Sequence, residues 1–251
     1  MSSREETETM AGQVRRFAVS WRNRARREIS PVGALDFQSG LYRFQYLEAA
    51  HNQVQGFRPF VGFPNLEEIY ESSRLWPFFA LRVMERRRPD FDKYVHWLGL
   101  ERDATPLDIL SRTGEFKGDT VALTEAPVVG ADGQTSAVLL VRGASYAASS
   151  FGSEAAANAL LPGARLSIVD DSLNEANSDA LLLETRDGDR IGWVPDLLIP
   201  YALALRESGG SVELLQNNGV DCPWHTRFLV RLSGVVGPSG KLFSDPPWPT
   251  S

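Results

Sequence analysis

Cys222 and His225 are separated by two residues, the spacing of half a zinc site. A closed structural site takes four Cys or His ligands in tetrahedral array. Cys222 is the one cysteine among 251 residues, and the other histidines, His51 and His96, lie far away in sequence. The pair therefore reads as a partly buried loop cysteine beside a surface histidine, and no metal is expected. Asp170 with Asp171, and Asp187 with Asp189, offer carboxylates to a hard cation, although such pairs are more often solvated turn residues. The run GPSGKL at 237–242 looks like a phosphate-binding loop only by eye. The required spacing puts its first glycine at Val235, and Leu242 stands where Ser or Thr must follow the lysine. No GxSxG, HExxH or GxGxxG is present. The chain is expected to be non-catalytic and to hold no cofactor.

Bulk properties agree with a folded, water-borne chain. Hydrophobic residues make up 43% and charged residues 23%, and the formal net charge is -6. That hydrophobic content suffices for ordinary cores. The acidic average argues against a nucleic-acid coat along the whole length, yet leaves room for a local basic patch. With one cysteine, no intramolecular disulfide can form, which suits a reducing compartment. The N-terminal MSSREETETM has no apolar stretch of a secretory signal. The longest apolar runs, such as AVLLV at 137–141, are far short of the ~20 residues of a membrane helix. The expectation is a bacterial-type cytoplasmic protein without membrane contact.

The elements that must position any site follow from hydrophobic period and turn residues. Residues 1–29 read as a flexible, basic N-terminal segment, with Arg15, Arg16, Arg22, Arg24, Arg26 and Arg27 against Glu28. ALDF and LYRFQYL flank QSG as a hairpin, with Tyr42, Phe44 and Tyr46 on its inward face. Asn65 is placed to cap a short helix, and Pro77 ends or opens another. Phe91, Tyr94, Val95 and Leu98 have helical spacing after Pro89. Thr105, Pro106 and Gly114 mark the cap, first turn and end of a further helix. DTVALTEAP reads as a strand. The polar turn-rich GADGQTS at 130–136 is the expected domain boundary. Beyond it come a strand AVLLVRGASY, a helix SEAAANALL and a strand ARLSIVD. A hairpin of ALLLE and IGWV, a helix PDLLIPYALALRES and a strand TRFLVRLSGVV complete the series. Residues 238–251 read as a loose, Pro-rich tail.

Three pieces of the second half, LVRGASY (140–146), LSIVDDSLNEANSDALLLE (166–184) and DGDRIGWVPDLL (187–198), resemble the HIRAN domain over 137–237. The resemblance implies a small β-barrel with helices, related to OB-folds, that grips the 3′ end of single-stranded DNA. By position, Arg142 and Tyr146 would belong to a first contact loop and Asn174 and Asn177 to a second. Arg190 and Trp193 would lie on the adjoining strands. Such groups suit the task, because bases stack on aromatic faces, arginines meet phosphates and amides bond base edges. The chain departs from the family at Ala176, where an aromatic is usual, and at Asn177, where an acid is usual. Pro195 and Asp196 replace basic residues. These changes point to looser single-strand binding than end recognition.

VGALDFQSGLYRFQYL (32–47), LWPFFALRVMERRRPDFDKYVHWLGL (75–100) and LDILSRTGEFKGDTVALT (107–124) resemble the N-terminal subdomain of HipA, a toxin kinase. This implies a small antiparallel sheet with helices over 30–130 that contacts another protein. The kinase core has no counterpart here. The expected fold class is α+β, a HipA-like sheet with helices followed by an OB-like β-barrel. The expected function is a non-catalytic module for single-stranded or damaged DNA, including DNA ends. Its protein partner would bind through residues 30–130. The alternative is a toxin–antitoxin-type regulator that partners a HipA-like kinase and does not use its HIRAN part to bind DNA. Arg86–Arg88 and the arginines of 15–27 are further candidates for contact with acidic partners.

Overall fold

Ser39 and Gly40 make the tight turn that QSG predicts, and β2 (Ile29–Gln38) and β3 (Leu41–Tyr46) pair antiparallel across it. In β3 the period of two puts Phe44 and Tyr46 inward, whereas Arg43 is exposed. The computed structural model describes residues 14–23, 29–52, 54–114, 120–152, 154–237, 241–243 and 248. It is α+β, with two antiparallel sheets, one of them a curled half-barrel.

The chain divides into two units that are not continuous in sequence. The first comprises 1–84, 114–126 and 243–251; the second comprises 85–113 and 127–242. The expected boundary at 130–136 lies near the crossing at 126–127, but residues 85–113 join the second unit, and 114–126 and 243–251 return to the first. Hydrogen bonding explains both. Strand β5 (Val121–Glu125) pairs with β1 (Arg15–Arg22) of the first sheet. Helices α3 (Phe91–Trp97) and α4 (Pro106–Thr113) bond the second unit: His96 and Trp97 carbonyls accept from Gln216 and Asn218, and Arg112 donates to the Val138 carbonyl.

The first sheet has the order β4-β3-β2-β1-β5, with β4 at Tyr70–Ser72. Residues 15–22, expected to be part of a flexible segment, are thus an interior strand. The correction has a plain cause: Phe17, Ala18 and Val19 are fully buried, and the arginines beside them are matched. Arg15 pairs with Glu125 at 2.6 Å, and Arg16 pairs with Asp36 at 2.7 Å while donating to the Phe243 carbonyl. Arg24, Arg26 and Arg27 lie outside the described residues, as do 1–13. Pro31 would cost β2 a ladder bond, and the sheet shifts register beside it, between Val19 and Ser20. The helix expected after Asn65 is replaced by a turn in which its side chain accepts from the Glu67 amide. Helix α1 spans Ala49–Asn52, and Pro77 opens α2 (Pro77–Ala80) as expected. Of the expected loose tail, Phe243 is buried in this unit; 238–240, 244–247 and 249–251 lie outside the described residues.

The second sheet has the order β6-β11-β10-β7-β8-β9. Its strands are β6 (Gln134–Leu140), β7 (Arg165–Asp170), β8 (Leu181–Glu184), β9 (Arg190–Trp193), β10 (Ser211–Asn217) and β11 (Phe228–Val235). Strand β10 was not expected from the sequence. Its alternation VELL is short, and it ends in amides that serve the loops. The chain just after β6 meets β9 again through a bridge between Arg142 and Trp193, so the sheet's two ends approach each other. Leu139, Val141, Leu181, Leu183, Ile191, Leu214, Val230 and Leu232 fill its concave side. Helices α5 (Ala144–Ser150), α6 (Glu154–Ala159) and α7 (Ile199–Glu207) complete the unit. Thr105 and Asp108 cap α4 reciprocally, each side chain accepting from the other's backbone amide.

Candidate nucleic-acid interface

The strand expected over 137–146 stops at Leu140, and Tyr146 stands on α5 instead of a strand end. The turn between them is tight for a local reason. Arg142 exchanges two backbone hydrogen bonds with Trp193, each 2.8 Å, and Gly143 then takes φ 62°. A Cβ on Gly143 would come within 2.6 Å of Trp193 Cε3, and one on Gly192 within 2.4 Å of the Arg142 carbonyl oxygen. Glycine at 143 lets the chain pass directly against the indole, and glycine at 192 leaves room for the Arg142 carbonyl. Helix α5 starts there, which brings Tyr146 over Trp193 with ring centroids 5.8 Å apart. Phe151, at the C-terminal end of α5, completes the group, 6.2 Å from Trp193 and 6.4 Å from Tyr146.

Arg190 reaches the same surface because β9 is irregular. Leu183 pairs with Gly192 but Glu184 with Arg190, so Ile191 is an extra residue in the strand. In a regular strand, positions 190 and 193 face opposite sides; the bulge returns them to one side. The Arg190 guanidinium carbon lies 4.3 Å from the Phe151 ring centroid, and its Nε is 3.3 Å from a Glu184 carboxylate oxygen. A cation over a ring face is held by the ring quadrupole.

The loop from Asp171 to Ala180 braces the indole from below. Trp193 Nε1 donates to Asp171 Oδ2 at 2.8 Å, and Asn174 Nδ2 donates to the same oxygen at 3.1 Å. Asn174 Oδ1 accepts from the amides of Ala176 and Asn177, an Asx-type turn. Asn177 Oδ1 accepts from the Asp179 amide, and its Nδ2 donates to Asp196 Oδ1 at 3.2 Å.

All six residues singled out in the sequence therefore meet in one patch, but in different roles. Tyr146 is 63% exposed, and the Arg190 side chain 40%. Trp193 is 8% exposed and packs on Ala147, Ala180 and Leu182, so it is the floor of the patch. Asn174 and Asn177 shape the loop. Arg142 fixes the turn through its backbone, and its guanidinium donates to the Thr113 carbonyl at 3.3 Å. Sequence reasoning missed Phe151, which is 38% exposed, and Asp171 as the indole's acceptor. A helix over 144–150 would have flagged Phe151, because it brings residues at its start and just past its end to one surface. The electrostatics are mixed: Arg190 pairs with Glu184, and Asp171 and Asp196 bond Trp193 and Asn177 of the same group.

Elsewhere the chemistry is quiet. Burial pushes the Cys222 thiol up, partly offset by Arg227, so the reactive thiolate is disfavoured. Among the described residues no group of three His, Cys, Asp or Glu is placed to hold a metal ion. Asp170 pairs with Arg206, and the Asp189 carboxylate accepts from the Thr185 hydroxyl. Arg86, Arg87 and Arg88 are exposed and bond neighbouring carbonyls or acids. No described helix is long and apolar enough to cross a membrane. No protein-family model, curated protein or solved structure matches the chain.

Proposed function

We propose that the second unit binds single-stranded nucleic acid, without catalysis, by stacking bases on the Tyr146–Phe151 surface. The observation that carries this reading is the solvent-facing pair of rings over Trp193, with the Arg190 guanidinium lying on one of them. A large exposed aromatic beside a cation offers a base a face and its phosphate a partner. The floor is rigid, since Trp193 is tied through its Nε1 and through both of its backbone groups. The HIRAN resemblance assigned Tyr146, Arg190 and Trp193 to DNA contact, but not Phe151. In this reading the first unit recruits a protein partner.

Glu184 beside Arg190, with Asp171 and Asp196 near, lowers the positive potential that phosphates meet. Binding is therefore expected to be weak and only mildly salt-dependent, since few counterions are released. The same carboxylates favour the second reading, in which this surface meets a protein and the chain regulates a HipA-like kinase. Fluorescence anisotropy with labelled single-stranded DNA, at low and moderate salt and with free or blocked 3′ ends, separates the two. Binding lost in the Tyr146→Ala/Phe151→Ala double variant supports the nucleic-acid reading. No binding at low salt overturns it.

A further inference from the structure

A second aromatic surface, confined to the first unit, is hollow. Val61, Phe63, Trp76, Phe78, Leu81 and Arg82 line a cavity of about 500 Å³, within the size range of small-molecule sites. Phe63 is fully buried, and Trp76 and Phe78 each meet it edge to face, at 5.3 and 5.7 Å. Two half-buried rings thus stand on a closed floor. They are fixed before any ligand arrives. The Tyr46 hydroxyl accepts from the Phe60 amide at 2.6 Å and donates to the Phe63 carbonyl at 2.9 Å, which pins the 60–63 turn to β3. Phe60 in turn stacks on Phe78 at 4.8 Å. Preformed walls spare a ligand the cost of ordering them.

The polar groups of the walls are already used within the fold. The Phe63 carbonyl accepts from Tyr46, and the Trp76 carbonyl accepts from the Phe79 and Ala80 amides. The Pro77 carbonyl accepts from the Leu81 amide, and the Phe78 carbonyl from Arg82 Nη1. Arg82 is engaged as well: its guanidinium carbon stands 4.2 Å from the Phe78 ring centroid, and it has a further partner besides. These facts decide between occupants. A peptide would bring its own amides and carbonyls, and each one buried here without a partner is costly. An anion would give up its water to a guanidinium that is already matched. What the site rewards is apolar area. Val61 is 88% exposed and Leu81 82%, so an occupant that covered them would remove two aliphatic side chains from water. We infer that this cavity binds an uncharged, apolar small molecule of two or three rings, seated on Phe63 against Trp76 and covering Val61 and Leu81.

The test uses two probes on the full chain, the neutral N-phenyl-1-naphthylamine and its anionic analogue 8-anilinonaphthalene-1-sulfonate. Saturable, one-to-one fluorescence enhancement is expected with the neutral probe. The sulfonate is expected to bind about tenfold more weakly or worse, because its charge would lose water without gaining an open partner. Val61→Ser/Leu81→Ser, at two positions exposed enough to keep the fold, is expected to weaken the neutral probe about tenfold or more by removing apolar area from the mouth. Tyr146→Ala leaves the titration unchanged, which keeps this site distinct from the surface of the second unit. Near-ultraviolet circular dichroism confirms that each variant is folded. Enhancement that does not saturate, or that survives Val61→Ser/Leu81→Ser, overturns the site. A sulfonate that binds as tightly as the neutral probe overturns the uncharged class of ligand. Binding per chain that rises on dilution means that a second copy covers the cavity, and overturns the small-molecule occupant.

Discussion

Phe44 in the first unit lies within 6.3 Å of five other rings, those of Tyr46, Phe60, Phe63, Tyr70 and Phe79. The main core cluster of the second unit is built largely from Leu, Val, Ile and Ala, with Tyr201 and Phe228 as its buried aromatic members. Tyr146 and Phe151 stand outside that core at the surface. The contrast separates two uses of one residue type. In the first unit rings supply volume, and edge-to-face contacts fix their order. In the second, aliphatic side chains already fill the interior, so an exposed ring there has no core to complete. Exposure of Tyr146 is accordingly a stronger pointer to a ligand than the larger number of rings in the first unit. That cluster opens at Trp76 and Phe78, which line a cavity of about 500 Å³ together with Val61, Phe63, Leu81 and Arg82.

The comparison breaks most readily at Phe44. Phe44→Ala is expected to cost about 3–5 kcal/mol, through lost burial and the cavity left among its neighbours. Urea denaturation followed by tryptophan fluorescence measures it. A loss below about 1 kcal/mol, the small end of point-mutation effects, would mean that the ring cluster is loosely packed and not the first unit's core.

The arginines draw the same line a step lower in energy. Arg16 is 8% exposed and makes two 2.7 Å bonds to Asp36, whereas Arg190 and Glu184 are a half-open pair. Arg16→Met would leave Asp36 without its main partner, and a destabilisation of about 3 kcal/mol is expected. Arg190→Ala is expected to cost less than about 1 kcal/mol, while weakening DNA binding. Similar costs at the two sites would erase the distinction between a cation that holds a sheet and one that serves a surface.

Tyr46 sharpens the comparison through pH. Tyr46→Phe keeps the ring but leaves the buried Phe60 amide without its acceptor, for an expected cost of about 1–3 kcal/mol. Burial pushes the Tyr46 hydroxyl from 10.0 up to about 12. A group whose pKa is higher when folded binds its proton more tightly in the folded state. Its contribution is fully present below pH 10 and is lost as pH rises from there through about 12. Tyr94 of the second unit is likewise raised to about 12 by burial. Alkaline titration of stability should therefore show loss in both units, and Tyr46→Phe should blunt it in the first alone.

Much of this arrangement was legible from residue order, and the failures share a cause. Period and punctuation located the β2–β3 hairpin, the caps of α4 and the β8–β9 hairpin, because each is decided within about ten residues. What escaped was set by distant partners. Arg15 and Arg16 looked like part of a flexible basic segment, since Glu125 and Asp36, which neutralise them, lie on other strands. The strand through 137–146 ended early because Gly143 must pass Trp193, fifty residues on. The six site residues were gathered by family resemblance, but their roles were not. Which asparagine only shapes a loop depends on Asp171 and Asp196, and which arginine shares a face with Trp193 depends on a bulge. The cavity at Trp76 and Phe78 left no linear signal, since a run such as WPFF reads equally well as core.

The smallest expected effect on stability is also the most discriminating. Tyr146 is 63% exposed and stands in the first turn of α5. Tyr146→Ala exchanges a ring contact worth about 0.5–1.5 kcal/mol for a residue that favours helix by up to about 0.7 kcal/mol. The two nearly cancel, so unfolding should shift by less than about 0.5 kcal/mol. Single-strand affinity, by contrast, should fall by about 1–3 kcal/mol, the cost of one lost base stack. Asn174→Ala provides the reverse pattern, a cost of about 1 kcal/mol in stability, with binding altered only as far as the loop shifts Trp193. Finding Tyr146→Ala as destabilising as Phe44→Ala would make Tyr146 a core residue, and the second unit would lose the exposed face on which its proposed binding role rests.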